Sequence, residues 1–158
     1  MRPIPTAALA LVICANAFAK EPSSIAELRT PTGEKTLIST SDAPKPIGPY
    51  SQGIVSGGLM FASGQIPIDP ATDKLVEGDI KAQTEQVLKN ILAVLKEAKM
   101  GPENVVKASV FLADLADFPQ MNEVYGRFLG KEPPARSTIQ AAGLPKGARI
   151  EIDVIAAF

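Results

Sequence analysis

The feature that most restricts the fold is the spacing of apolar residues, which switches from helical to alternating and back across the second half of the chain. From Asp79 onward, Ile80, Val87, Leu88, Ile91, Leu95 and Ala98 recur at helical spacing, which gathers them on one face of a helix. Asp79 suits the N-cap, and Gly101-Pro102 is expected to stop this helix. Val106, Ala108, Val110 and Leu112 then alternate with Lys107, Ser109 and Phe111, the period of a strand. Helical spacing returns at Phe118, Met121, Val124, Tyr125 and Phe128. Asp117 and Gln120 stand at capping-box separation ahead of that stripe, and Gly130 closes it. A chain that changes period in this way has helix stripes to bury against a sheet.

The flanks supply the rest of that sheet. Thr36 to Thr40 reads as a short first strand, and Ser41 to Pro49, with three prolines, as a loop. Tyr50 to Val55 and Leu59 to Ser63 flank Ser56-Gly57-Gly58, a hairpin signal, and Ile66 to Asp73 returns to a loop. Arg136 to Ala142 and Arg149 to Phe158 flank a turn at Gly143–Gly147 and are expected to form a second hairpin. The order is β-ββ-α-β-α-ββ, an α+β domain with one mixed sheet of about six strands and both helices on one face. Arg136, Thr138 and Gln140, with Glu151 and Asp153, are expected on the other, bare face. A mixed polar and apolar face of that kind favours a ring in which sheets pack on sheets.

Residues 1–19 have the pattern of a secretory leader: Arg2, an apolar run from Ala7 to Ala15, then Ala17-Phe18-Ala19 at the cleavage position. The expectation is therefore an exported, periplasmic protein that has no membrane contact once cleaved. Residues 20–34, mixing Pro, Ser, Thr, Gly and charges, read as a linker, and 35–158 as the folded domain.

Absent residues exclude whole classes of chemistry. The 158 residues include no His, and the one cysteine, Cys14, falls in the expected leader. The mature chain would then have no thiol nucleophile, no imidazole base, and no zinc site built on Cys or His. We expect no metal and no cofactor. With 16 basic and 17 acidic residues, the net charge of −1 does nothing to attract a polyanion, so no nucleic-acid partner is expected. What remains is carboxylates, Arg, Lys, Tyr, hydroxyls and backbone groups.

Among these, Arg136 follows two prolines at a strand start, a rigid place for a planar fork that binds a carboxylate in two places. Read from the residues alone, a surface ion pair is the commoner role for such an arginine. Glu151 likewise reads either as a working carboxyl or as a solvated partner of Arg149.

Several blocks occur together in order: Gly48-Pro49-Tyr50-Ser51-Gln52, Ser63-Gly64-Gln65-Ile66-Pro67, Gln83-Thr84 with Asn90, Val110-Phe111-Leu112, Asn122 with Tyr125, Pro134-Ala135-Arg136-Ser137, and Leu144-Pro145-Lys146 followed by Glu151-Ile152. In this arrangement, from about Ile38 to Ala157, the chain resembles the reactive-intermediate deaminase (Rid, or YjgF) family. The resemblance implies a chorismate-mutase-like fold, a homotrimer with a cleft at each subunit interface, and hydrolysis of 2-imino or 2-enamino acids to 2-keto acids and ammonia. It places the substrate-carboxylate arginine on Arg136 and the active-site glutamate on Glu151, which could orient or deprotonate a water. Thr138 stands where many members have Cys, and its hydroxyl can still hold water. Tyr50, Ser63 and Gly64 match positions lining the cleft, though a core tyrosine and a tight turn are open alternatives. Asn90 is expected to brace backbone.

A different class of function keeps the cleft without turnover: a small-acid-binding or stress-protective protein. Export motivates it, because it would separate a catalyst from the cytosolic sources of imines. A ribonuclease is disfavoured by the acidic balance, the absence of His and the scarcity of aromatics.

Overall fold

The computed structural model describes residues 34–158. The leader expected over 1–19 and the linker expected over 20–34, apart from Glu34, lie outside the described residues. The first strand, β1 (Thr36–Ile38), leads through the proline-rich loop to β2 (Gly53–Ser56) and β3 (Leu59–Gln65). Gly57 and Gly58, with φ of 60° and 78°, make the two-residue turn between them. Two positive φ values are what a tight hairpin turn demands, and glycine meets them without strain. Next come the short strands β4 (Ile68–Asp69) and β5 (Lys74–Leu75), which pair with each other where the sequence suggested only a loop. Two prolines do not prevent this, because Pro67 and Pro70 flank β4 rather than interrupt its ladder.

Helix α1 (Ile80–Glu97) begins at Asp79, whose carboxylate accepts from Ala82 N at 3.0 Å. Lys99 takes a left-handed φ of 60°, with Lys99 N donating to Lys96 O and Met100 N to Leu95 O. This is a Schellman ending, and it stops the helix before Gly101-Pro102 is reached. Strand β6 (Val105–Leu112), helix α2 (Phe118–Leu129), β7 (Ala135–Gln140) and β8 (Ile150–Ala157) complete the chain.

The main sheet has the order β1-β2-β3-β8-β6-β7, antiparallel throughout except for the parallel pair β6/β7. The expected C-terminal hairpin is thus corrected: β6 lies between β7 and β8. Both backbone edges of β6 are paired, with β8 between β3 and β6 on one side and β7 on the other, where it forms the sheet edge. Both helices cover one face, as expected. Their buried residues, Val87, Leu88, Ile91, Val94 and Leu95 from α1 with Met121 and Val124 from α2, pack on Val55, Met60, Val110, Ile152 and Val154.

Three further expectations change. The sheet register puts Arg136, Thr138 and Gln140 beside Ala108, Val110 and Leu112, so they face the helices. They do not share the bare face with Glu151 and Asp153, which stand beside Phe111 and Ser109. Reading β7 and β8 as neighbours is what led to the wrong face. Val106 is exposed, because the ladder slips between Val105 and Lys107 and Val105 takes the core position. Asp117 makes no capping bond. Its carboxylate takes the Arg149 guanidinium instead, with Nη2 to Oδ1 at 2.6 Å and Nε to Oδ2 at 3.1 Å. A two-pronged, charge-assisted pair outcompetes a single cap bond.

Candidate active site

Buried Gln52 sets the wall of the site. Its side chain accepts from Thr40 N at 2.7 Å and donates to the carbonyls of Thr40, Ala43 and Pro44 at 2.9–3.2 Å. It thereby fastens the proline-rich loop to β2, where prolines leave carbonyls without ladder partners. The same loop carries Ile47, whose N–H donates to Tyr50 Oη at 3.2 Å. Tyr50 is 46% exposed, which removes the reading of it as a core tyrosine.

Ser63 and Gly64 lie within β3, not in a turn. Between the partners Ala62↔Val154 and Gln65↔Ile152, these two residues oppose Asp153 alone. That is a β-bulge, a device that re-aims side chains at sheet ends. Ser63 N donates to Gln52 O at 3.0 Å and its hydroxyl donates to Ser51 O at 2.6 Å, so its oxygen is left as an acceptor. Gly64 makes room: a Cβ there would overlap Oε1 of Glu151 and come within 2.9 Å of its Cδ.

Glu151 is half-buried, and loss of solvent raises its pKa above the ordinary carboxylate value, with the Asp153 charge on the same face adding to the rise. Arg149, its alternative partner, is engaged with Asp117. Tyr50, Ser63, Gly64 and Glu151 together line one cavity of about 240 Å³, with Ile47, Ile66 and Pro145 as its apolar walls. That is below the range for drug-sized ligands and suits a small acid. Asn90 braces it from α1, donating to the carbonyls of Ile66 and Ile68 at 3.2 and 2.9 Å, as the sequence led us to expect. A concavity of about 260 Å³ near Pro102, Phe128 and Leu129 contains none of the candidate residues.

Arg136 and Thr138 are elsewhere. They sit on edge strand β7, on the helix-covered face, with β6 between them and β8. Two strand spacings make roughly 10 Å, before the separation of opposite faces is added. The Arg136 guanidinium lies over the rings of Tyr125 and Phe118, 4.5 and 5.5 Å from their centroids. Among the described residues it pairs with no carboxylate. Thr138 Oγ1 and Tyr125 Oη are both buried without a hydrogen-bond partner. Burial raises the Tyr125 pKa, with the Arg136 charge offsetting part of the rise, so the phenol stays protonated at neutral pH.

The residues that the sequence reading gathered into one site thus fall in two places: a carboxyl in a cavity, and a cation with a hydroxyl on an edge strand. That reading missed Ile47, Ile66 and Pro145 as cavity walls, although all three flank or fall in the motif blocks. It also took Phe118 only as part of a buried stripe, and Tyr125 as part of that stripe and of a motif block, without a role beside Arg136. Their seven-residue separation, two helical turns, was the signal that both could cover one cation.

Residues 40–158 match the family model described as Endoribonuclease L-PSP. A RutC family protein of Pyrococcus horikoshii is 52% identical over 122 residues, 77% of this chain and 97% of that protein. The chloroplastic Reactive Intermediate Deaminase A of Arabidopsis thaliana is 46% identical over 123 residues, 78% of this chain and 66% of that protein. The crystal structure of E. coli TdcF with bound serine superimposes with a TM-score of 0.75 at 39% identity, covering 78% of this chain and 98% of that one. On the family match and these identities, the chain belongs to the Endoribonuclease L-PSP family, the YjgF/Rid family that includes reactive-intermediate deaminases.

Proposed function

We propose that the chain hydrolyses 2-imino and 2-enamino acids to 2-keto acids and ammonia, in a cleft that two copies of the chain build together within a homotrimer. The observation that carries the reading is Glu151: a half-buried carboxyl with a raised pKa, seated against Gly64 in a cavity sized for a small acid. A carboxyl with a raised pKa is, when ionised, a stronger acceptor for a proton from water, and it can return that proton.

The chemistry asks little more. Glu151 takes a proton from a water as the water oxygen bonds to the imine carbon. Glu151 returns that proton to the imine nitrogen, giving a carbinolamine; it then carries the hydroxyl proton to the amine, so the carbon–nitrogen bond breaks and ammonia leaves as the keto oxygen forms. An enamine first takes a proton on carbon to become the imine. The electrophile is already reactive, so neither thiol nor imidazole is required. Arg136, free of carboxylates among the described residues, is the group suited to the substrate carboxylate. Thr138, orphaned beside it, can hold the ligand or a water.

Because Arg136 and Glu151 occupy opposite faces of one chain, a small acid held by both must lie between two chains. The bare face supports association: Leu37, Ile54, Phe61 and Ile155 stand opposite one another across four strands. Leu37 and Phe61 are 66% and 44% exposed, and an apolar band left open marks an interaction surface.

One relative's structure holds serine, which favours a second reading of this fold as a small-acid binder without turnover. The nucleolytic reading suggested by the family model's description has less support, because the chain has no His and a net charge of −1.

The test is ammonia release while an amino-acid oxidase generates imines in place. Wild-type protein should accelerate it, and Arg136→Ala and Glu151→Gln should each abolish most of the gain. Co-assembled from the two inactive variants, mixed oligomers should regain activity, because some clefts then combine an intact arginine with an intact glutamate. No acceleration by wild type favours the binder. No recovery in the mixture rejects the shared cleft.

A further inference from the structure

We propose that Tyr125 is a positioning residue for Arg136: with Phe118 it brackets the guanidinium and sets the plane in which Arg136 presents its N–H groups to a ligand carboxylate. The identity of that ligand rests on the deaminase reading. The bracket itself rests on geometry.

Phe118 and Tyr125 are seven residues apart on α2, so both rings project from one helix face toward β7. The guanidinium carbon lies 4.5 Å from the Tyr125 centroid and 5.5 Å from that of Phe118, within the reach of a cation–π contact. A planar cation held by its face keeps its donors at the edge, where a carboxylate can meet two of them at once. Among the described residues no carboxylate holds Arg136, so the aromatic faces are what orient it. Tyr125 is 5% exposed, and a side chain packed that tightly cannot drift with its guanidinium. Its hydroxyl finds no partner at ordinary hydrogen-bond geometry, yet it lies close enough to the Arg136 guanidinium for that group to offset part of the rise that burial gives its pKa. The ring face at 4.5 Å is the contact with Arg136 that has good geometry, and Tyr125→Phe separates it from the hydroxyl.

The experiment compares full-length wild type, Tyr125→Phe, Tyr125→Leu and Phe118→Leu, each also on an Arg136→Lys background. Two measurements are made: calorimetric titration with 2-ketobutyrate, and the NMR signal of the Arg136 Nε–H, which an overlying ring shifts by its ring current. Tyr125→Leu should weaken 2-ketobutyrate about tenfold, the scale of a desolvated cation–π contact, and move the Nε–H signal. Tyr125→Phe keeps the ring and should match wild type in both. Phe118→Leu, at the more distant and only partly buried ring, should give a smaller change of the same kind and serves if Tyr125→Leu fails to fold. On the Arg136→Lys background neither leucine variant should weaken binding further, since the fork they orient is gone.

Three results overturn the proposal: Tyr125→Phe as damaging as Tyr125→Leu, which would assign the role to the hydroxyl; full loss persisting on the Arg136→Lys background; or an Nε–H signal that does not respond to ring removal. Wild type that binds 2-ketobutyrate but releases no ammonia from imines rejects the deaminase reading and leaves the bracket standing. Wild type that fails to bind 2-ketobutyrate overturns both.

Discussion

Gly64 is a residue whose side chain matters by being absent. Its φ is not among the positive values, so conformational freedom is not its purpose; the space beside Glu151 is. Gly64→Ala should cost little stability, because the atoms it displaces are the end of a flexible side chain. It should still lower turnover by about tenfold or more, since a carboxyl displaced by about 1 Å no longer meets its water. Urea unfolding alongside ammonia release checks both halves of that expectation. Glu151 itself has a pH signature. Its raised pKa means the folded state binds the proton more tightly than the unfolded chain, so this residue's contribution to stability is full below the ordinary carboxylate pKa and lost as pH rises through the raised one. Glu151→Gln should therefore be more stable than wild type at about pH 8 and no more stable at about pH 4. Turnover should run the other way: wild-type acceleration should fall as pH drops through a pKa above the usual glutamate value, while the Gln variant shows no such limb. Denaturant midpoints and rate profiles over the same pH range decide it.

Among the elements, the loop between β1 and β2 is the least regular and the most dependent on one side chain. Gln52 makes four bonds to its backbone, and the loop's prolines cannot form a ladder of their own. Gln52→Ala should cost about 2–4 kcal/mol, since several buried backbone groups lose their partner. It should also raise KM more than it lowers kcat, because Ile47 and Tyr50 ride on that loop while Glu151 sits on β8. A urea midpoint and a kinetic titration read the two effects separately. The bulge in β3 acts at the same scale: two residues against one turn Gly64 toward Glu151; a glycine inside a strand pattern hints at such a bulge, but not at the side chain it will face.

For the whole molecule, association is the main expectation. Light scattering should report a trimer, and Phe61→Glu, a charge in the middle of the apolar band, should give folded monomers that release no ammonia above background, because each would hold only half a site. A trimer that persists in that variant would remove the band from the interface. At the N-terminus, export should cleave between Ala19 and Lys20, leaving a chain that starts at Lys20; intact mass of the exported protein showing Met1 retained would exclude it.

The helices and the main-sheet strands were legible in the chain; the short β4/β5 pair was not. Apolar spacing at 80–98, 118–128 and 150–156 marks two helices and a core strand whatever surrounds them, because the period is a property of local geometry. Asp79 as a cap and Gly57-Gly58 as a turn are local for the same reason. The partners of those elements were not legible. Whether β8 pairs with β7 or slips between β3 and β6 depends on which edges are open once the helices cover one face. That choice decides whether Arg136 shares a face with Glu151. Asp117 shows the same limit within one residue: a capping spacing is visible in sequence, but a guanidinium 32 residues away that takes the carboxylate is not. The chain alone could name Arg136, Thr138, Glu151, Tyr50, Ser63 and Gly64 as the polar residues worth attention. Only the tertiary structure divided them between two faces of the sheet, because sheet order and strand register are set by long-range packing, and each shift of one residue moves a side chain to the opposite face.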